Sequence, residues 1–253
     1  MATKTLKTIP KISVKIWPPI IKKLGEKMDA ACLRRDAYLT KVLAIELDRL
    51  DHEVSIPNSE ASYRFVFERL EALRGKPVSL ALPPDLTKRL NDICERKRIV
   101  RDAFFNRIFL LLVASDKEID ALLFRDAPDD WRTEVWAENK LDGPFFENVF
   151  YPLDPVVDPF WAIRSGLEMY AENQELEDYV EPSSGKTIRI QRDRTFGISP
   201  ADSFYTIVFD RKGRRGDLLG MNCYMPDWRI PGTDAAEEVQ AKTTDALAEL
   251  DSL

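Results

Sequence analysis

The chain has 253 residues, with 37 Lys and Arg against 43 Asp and Glu, and a net charge of −6 at pH 7. Its apolar fraction of 44% is enough for one large domain or two ordinary ones. No apolar run approaches the about 18 residues of a membrane-spanning helix, and the N-terminus lacks the apolar region of a secretory signal. We therefore expect a protein that does not enter membranes, and its three scattered cysteines fit a reducing cytoplasm best.

Cysteine and histidine usage argues against several kinds of chemistry. The three cysteines are scattered and show no zinc or disulfide spacing, and His52 is the single histidine. Serine–histidine and cysteine–histidine catalysis and multi-histidine metal sites are therefore not expected. We expect neither an enzyme nor a bound cofactor or metal.

Charge is divided unevenly along the chain. Residues 1–115 hold 22 Lys and Arg and 14 Asp and Glu, a net charge of +8, whereas residues 116–253 have a net charge of −14. A basic half is suited to contact with a polyanion, although surface charge also differs between domains without functional meaning. The pattern predicts two domains, 1–115 and 116–253.

The basic half contains an internal repeat at a constant offset of 66 residues. Self-similarity at a fixed period indicates one supersecondary unit used twice. Seven positions are identical in the two copies: Ser13/Ser79, Pro18/Pro84, Lys22/Lys88, Leu24/Leu90, Arg35/Arg101, Asp36/Asp102 and Ala37/Ala103.

Each copy begins with alternating apolar and polar residues, which predicts a strand with one buried face. Prolines then end each strand and suit the first turn of a helix. The apolar residues of the strands are Ile12, Val14 and Ile16 in the first copy and Val78, Leu80 and Leu82 in the second.

Two helices are predicted after each strand. Apolar residues spaced by four mark the first helix: Ile20, Leu24 and Met28, matched by Leu86, Leu90 and Cys94. The second helix is predicted over about 35–49 and 101–114, with Asp36 and Asp102 as N-caps. Between the copies, Asn58-Ser59 would cap a linker helix that Gly75 ends.

The acidic half predicts an α+β fold. Ser115 to Glu118 has a capping-box pattern that opens a helix through Leu123, and a further helix is expected over about 158–173. Strands are predicted at 187–191 and 204–209, followed by a turn at 211–216. A capping pattern from Asp234 to Glu237 predicts the start of a C-terminal helix.

Residues 10–50 and 76–115 resemble the ribbon-helix-helix family of Arc- and MetJ-type repressors. The similarity lies in the alternating strand, the proline turns at 17–19 and 82–84, the amphipathic first helix and the Arg-Asp start of the second helix. Family members usually form homodimers, whereas a tandem copy looks like a single-chain pseudo-dimer, as in some relaxosome accessory proteins of conjugative plasmids. The resemblance implies a mainly α fold with small β, in which an antiparallel two-stranded ribbon packs on four helices and a linker helix.

The family places its ribbon in the major groove of DNA, so the resemblance also implies contact residues. The outward side chains would contact bases: Lys11, Ser13, Lys15, Ser79 and Ala81. Phosphates would be held at the starts of the second helices by Arg34, Arg35 and Arg101. The alternatives are a solvated strand face for the lysines and ion pairs with neighbouring carboxylates for the arginines.

The second strand carries no charged residue between Pro77 and Pro83, and Ala81 stands where the first copy has Lys15. The two halves of a DNA site would therefore be recognised unequally.

The sequence thus predicts a sequence-specific double-stranded DNA-binding protein, acting as a transcriptional repressor or as an accessory factor of a mobile element. Its acidic domain would form homo-oligomers or bind a partner protein. An antitoxin-like interaction protein is the alternative. A magnesium-dependent nuclease is a remote one, based on Asp129, Glu138 and Lys140.

Overall fold

The computed structural model describes residues 10–123, 158–160, 163–164, 166–167, 176–180, 187–191, 203–209, 212–213 and 216–240. These residues are mainly helical, with short two-stranded antiparallel sheets, as the fold class predicted. No helix among them has the length and apolar character needed to span a bilayer.

The chain divides into two compact units, which are Met1–Val113 together with Val208–Leu253, and Ala114–Ile207. This division differs from the predicted boundary after residue 115. The reason is that residues 216–221, in the C-terminal segment that starts at Val208, pack against the helices Glu60–Ala72 and Arg101–Val113.

The N-terminal part of the first unit contains two strands and five helices. In chain order these are β1 (Lys11–Ile16), α1 (Pro18–Ala30), α2 (Arg35–Glu53), α3 (Glu60–Ala72), β2 (Lys76–Ala81), α4 (Pro84–Lys97) and α5 (Arg101–Val113). Each repeat copy therefore supplies a strand and two helices, and α3 is the linker helix between them.

The two copies share one core. β1 pairs antiparallel with β2, and the inner-face residues Val14, Ile16 and Leu80 are buried. The helices exchange partners, since α1 packs against α5 and α2 packs against α4. A two-stranded ribbon is marginal alone. Each apolar side chain buried beneath it contributes about 1.5–3 kcal/mol, so the copies stabilise each other.

The first helix of each copy ends in the same way. Cys32 and Arg98, which are 66 residues apart, adopt left-handed conformations with φ of 53° and 49°. The N–H groups of Leu33 and Ile99 then donate to carbonyls five residues earlier, at 2.9 and 2.8 Å. This is the Schellman pattern, which satisfies terminal helix carbonyls even though neither cap is glycine.

The predicted stop of α3 at Gly75 is wrong in its detail. Arg74, not Gly75, has the left-handed backbone, with a φ of 52°. Gly75 instead lies close to β1, where an added Cβ would be 3.2 Å from the Cβ of Lys15. A glycine is favoured here because two backbone segments approach each other.

The C-terminal segment of the first unit is irregular. β5 (Lys212–Gly213) and β6 (Gly216–Asp217) pair across the predicted turn, and 3₁₀ turns follow at Leu218–Met221 and Asp227–Arg229. Residues 234–240 are helical, and their side-chain cap comes from Thr233 rather than from the predicted Asp234. Gly220 contacts α3 so closely that an added Cβ would lie 2.4 Å from the backbone nitrogen of Leu70.

Hydrogen bonds join this segment to the start of α3. Ser59 caps the helix as predicted, accepting from the Ser62 N–H at 3.0 Å. The side-chain oxygen of the buried Asn58 accepts from the Met225 N–H at 3.0 Å. The Ser62 hydroxyl lies 2.6 Å from the Met225 carbonyl and 2.7 Å from the Asp227 carboxylate. The segment thus supplies hydrogen-bond partners to polar groups of Asn58 and Ser62 that are buried beneath it.

A fully buried arginine in α5 also depends on the C-terminal segment. The Arg107 guanidinium lies 3.9 Å from the centroid of the Phe209 ring, and its Nη1 is 3.3 Å from Asn222 Oδ1. Asn222 in turn accepts from the Phe209 N–H at 2.8 Å. A buried charge needs such partners, because an unpaired one carries a large desolvation cost.

The strand predicted at 204–209 is wrong. Residues 204–206 form a turn. The Ser203 N–H donates to Thr206 Oγ1 at 2.6 Å, and the Ile207 N–H donates to the Ser203 carbonyl at 2.9 Å. Short polar side chains compete with strand pairing in this way.

The described part of the second unit contains α6 (Asp116–Leu123), β3 (Leu176–Val180) and β4 (Thr187–Gln191). α6 opens with the predicted capping box, in which Ser115 and Glu118 exchange hydrogen bonds. β4 matches a predicted strand, and its antiparallel partner β3 was not predicted. Residues 163–164 and 166–167 are helical within the predicted 158–173 helix, but 158–160 are not.

Candidate nucleic-acid interface

The pairing of β1 with β2 relates the two repeat copies by an approximate twofold axis. Ser13 lies opposite Ser79 in the register, and these two serines are also related by the 66-residue offset. The residues on either side follow the same symmetry: Lys11 pairs with Ala81, and their repeat equivalents Pro77 and Lys15 pair with each other. The axis therefore passes between Ser13 and Ser79, at the centre of the ribbon.

The outward face of the ribbon consists of three cross-strand pairs: Lys11 with Ala81, Ser13 with Ser79 and Lys15 with Pro77. Alternation along the strands places these side chains away from the core. All are exposed except Ala81, which is half-buried. The structure thus brings the five predicted base-contacting residues onto one face, with both lysines on β1.

Two of the three predicted phosphate-binding arginines border this face. Arg35 Nη2 donates to the Ser79 carbonyl at 2.7 Å, and Arg101 Nη2 donates to the Ser13 carbonyl at 3.0 Å. Each arginine binds the strand of the other copy. A guanidinium has five N–H donors, so these bonds leave further donors at the surface. Arg34, just before α2, is exposed.

The predicted N-cap role of Asp36 and Asp102 is wrong. Both carboxylates lie in the first turn of their helices and accept hydrogen bonds from the opposite copy's strand. Asp36 Oδ2 is 3.0 Å from the Ala81 nitrogen, and Asp102 Oδ2 is 3.1 Å from the Lys15 nitrogen. The aspartates satisfy backbone N–H groups at the outer edges of the ribbon, which would otherwise be open for pairing.

The environment of Asp36 favours its charged form. Burial opposes ionisation, but the hydrogen bonds from Arg35 and from the Ala81 N–H, with the nearby charges of Arg35 and Lys11, together hold its pKa below the ordinary 3.8. The edge contact therefore involves a carboxylate at neutral pH.

Asn106 shows how the two copies have diverged. Its side chain accepts from the Trp17 N–H at 2.9 Å and donates to the Lys15 carbonyl at 2.8 Å. The residue equivalent to Trp17 is Pro83, which has no N–H to satisfy. The residue equivalent to Asn106 is accordingly Thr40, whose hydroxyl bonds within its own helix.

Lys15 has a partner that sequence reasoning did not find. Its Nζ lies 2.8 and 3.0 Å from the two carboxylate oxygens of Glu71, in the last turn of α3. The hydrogen bond with Glu71, and then its charge, raise the pKa of Lys15. The two residues are 56 positions apart, and no spacing rule links a strand to the end of a linker helix.

Within the parts of the chain that the structure describes, no group of three or more His, Cys, Asp or Glu residues is placed to hold a metal ion. The nuclease candidates Asp129, Glu138 and Lys140 lie outside the described residues.

Comparisons with protein-family models, with curated proteins and with solved structures give no significant match to this chain.

Proposed function

We propose that residues 10–115 form a tandem ribbon-helix-helix head, in which one chain supplies both halves of a pseudo-dimer. The exchange of contacts between copies supports this proposal. Each copy's second helix binds the other copy's strand through Arg35 and Asp36, or through Arg101 and Asp102. The 66-residue repeat relates the two sets of bonds.

The function that we propose for this head is sequence-specific binding of double-stranded DNA. The observation that carries it is the exposed outward face, where Lys11, Ser13, Lys15 and Ser79 present hydrogen-bonding groups on a two-stranded ribbon. A ribbon of this width fits the major groove, in which each base pair has a distinct donor and acceptor pattern. Arginines at the helix N-termini beside the ribbon are suited to phosphate contacts.

The biological role that we propose is transcriptional repression or service as an accessory factor on a mobile element, in the cytoplasm and without catalysis. A single ribbon covers few base pairs, so useful specificity requires at least two chains side by side on DNA. The acidic part of the chain would mediate that association or recruit a partner protein. The antitoxin-like alternative stays a prediction from the sequence.

The test is to select duplexes from a random pool with the whole chain and to measure fluorescence anisotropy on selected and scrambled duplexes. Lys11→Ala should lose about 1–3 kcal/mol of binding on the selected duplex, because a good base contact contributes that much discrimination. Lys22→Ala is the matched control, since Lys22 is exposed on α1 and is not part of the ribbon.

Selection that enriches no sequence would contradict the proposed function. So would a Lys11→Ala variant that binds every duplex as the Lys22→Ala control does.

A further inference from the structure

The ion pair between Lys15 and Glu71 lies at one end of the outward face. The side chains are 52% and 43% exposed, so both are accessible to a large ligand. The position of Glu71 is defined by the backbone, because Arg74 reverses the chain after α3 and Gly75 packs directly on Lys15. The backbone thus brings Glu71 close to β1, and hydrogen bonds of 2.8 and 3.0 Å join its carboxylate to the Lys15 ammonium.

We propose that Glu71 is a specificity-determining residue of the DNA-binding face. It keeps Lys15 from binding phosphate and, together with Lys15, favours a G·C base pair at that end of the ribbon. This inference rests on the proposed function and names one part of the DNA site.

The charge of Glu71 disfavours a phosphate at Lys15. A phosphate that bound the Lys15 ammonium would approach a carboxylate only 2.8 Å from that ammonium. Like charges at such distances repel, and more strongly as water is excluded from an interface. Lys15 should therefore add little to the binding of DNA of arbitrary sequence, which depends mainly on phosphate contacts.

A base edge offers what a phosphate does not. Guanine presents the acceptors O6 and N7 in the major groove, to which lysine donates, and its partner cytosine presents an N4 amino donor, which glutamate accepts. The Lys15–Glu71 pair combines one donor group with one acceptor group on adjacent side chains. An A·T pair presents these groups in a different arrangement.

The pair occurs at one end of the ribbon only. The position equivalent to Lys15 is Ala81, which has neither charge nor hydrogen-bonding side chain. The preference for a G·C pair should therefore apply to one half of the site, and it should fix the orientation of the chain on DNA.

The experiment compares the wild type with Glu71→Gln and with Glu68→Gln, on a selected and a scrambled duplex, at about 50–200 mM salt. Glu68 is exposed in the same helix, so its replacement removes equal charge without touching Lys15. Glu71→Gln should bind the scrambled duplex about 3–10-fold more tightly, with a salt dependence steeper by about one phosphate contact. Its preference for the selected duplex should fall about tenfold, and Glu68→Gln should keep that preference.

The outcomes separate this inference from the proposed function. A wild-type chain that prefers no duplex overturns both. The role of Glu71 alone is overturned if the wild type prefers the selected duplex and Glu71→Gln keeps that preference. The same holds if Glu71→Gln changes the preference no more than Glu68→Gln does. The role of Glu71 is supported by two results together. Glu71→Gln loses the preference for the selected duplex, and the wild type loses the same preference when the G·C pair of that duplex is replaced.

Discussion

At the scale of single residues, Asp36 and Asp102 show which contacts can be predicted from the sequence repeat and which cannot. Their identity in both copies is visible in the sequence, but their spacing near a helix start equally fits an N-cap. Only the pairing of β1 with β2 shows that each carboxylate faces the opposite copy's strand. A residue's neighbours along the chain could thus be predicted, whereas its partner across the ribbon could not.

Replacing Asp36 with alanine should lower the free energy of unfolding by roughly 1–2 kcal/mol, because the Ala81 N–H and the Arg35 guanidinium lose their acceptor. Chemical denaturation would measure the change. Asp92→Ala, at an exposed position on α4, is the control and should have little effect.

The same contact should depend on pH. The folded-state pKa of Asp36 lies below its ordinary value of 3.8, so the carboxylate stabilises the fold fully above that pH. Its contribution is lost as the pH falls through the lowered pKa. The difference in free energy of unfolding between the wild type and Asp36→Ala should therefore shrink below about pH 4.

Equal stability of the Asp36→Ala and Asp92→Ala variants at neutral pH would show that the edge contact is unimportant.

At the scale of elements, the periodicity of apolar residues predicts strands and helices correctly where tertiary packing favours the same conformation as the local sequence. The strands and helices of both copies, the capped start of α3, the capping box of α6 and the strand at 187–191 follow from alternation, helical spacing and caps. The 204–209 segment has the composition of a strand, but local bonds from Ser203 and the contacts of Phe209 with Asn222 determine its conformation.

The C-terminal segment could not be placed from sequence, because its contacts join residues far apart in the chain. The contacts of Gly220 with Leu70 and of Asn58 with Met225 produce no periodic pattern in the sequence. The charge boundary near residue 115 therefore predicted two domains, whereas the structure groups Val208–Leu253 with the N-terminal helices.

A glycine pair tests that packing. Gly220→Ala places a Cβ 2.4 Å from the Leu70 nitrogen, and this nitrogen belongs to the backbone of α3, which cannot easily shift. The substitution should therefore lower the free energy of unfolding, measured in urea, by roughly 1–3 kcal/mol. Gly25→Ala, in an exposed position of α1 where an added Cβ meets nothing within 4 Å, should instead stabilise by up to about 1 kcal/mol. Unchanged stability of Gly220→Ala would argue against the close contact of the C-terminal segment with α3.

At the scale of the whole molecule, duplication within one chain permits the two halves to differ. A homodimer must present the same residues twice, whereas here Lys11 and Lys15 stand where the second copy has Pro77 and Ala81. The shared contacts that hold the ribbon together remain paired across the pseudo-twofold axis. The structure thus combines a symmetric scaffold with an asymmetric outward face, and under the proposed function this face would suit a DNA site without palindromic symmetry.

The DNA affinity of a Ser13→Glu, Ser79→Glu double variant tests most directly whether the outward face of the β1–β2 ribbon contacts DNA. Both serines are exposed, but they lie opposite each other, so two carboxylates there should destabilise the ribbon by up to about 1 kcal/mol, and circular dichroism checks that the variant is folded. They should weaken binding to the selected duplex roughly 100-fold or more, by repelling phosphates and base acceptors. A control with glutamate at Ser55 and Asn91, exposed positions outside the ribbon, should bind much as the wild type does. Equal affinity of the folded ribbon variant and this control would show that DNA does not bind at the ribbon.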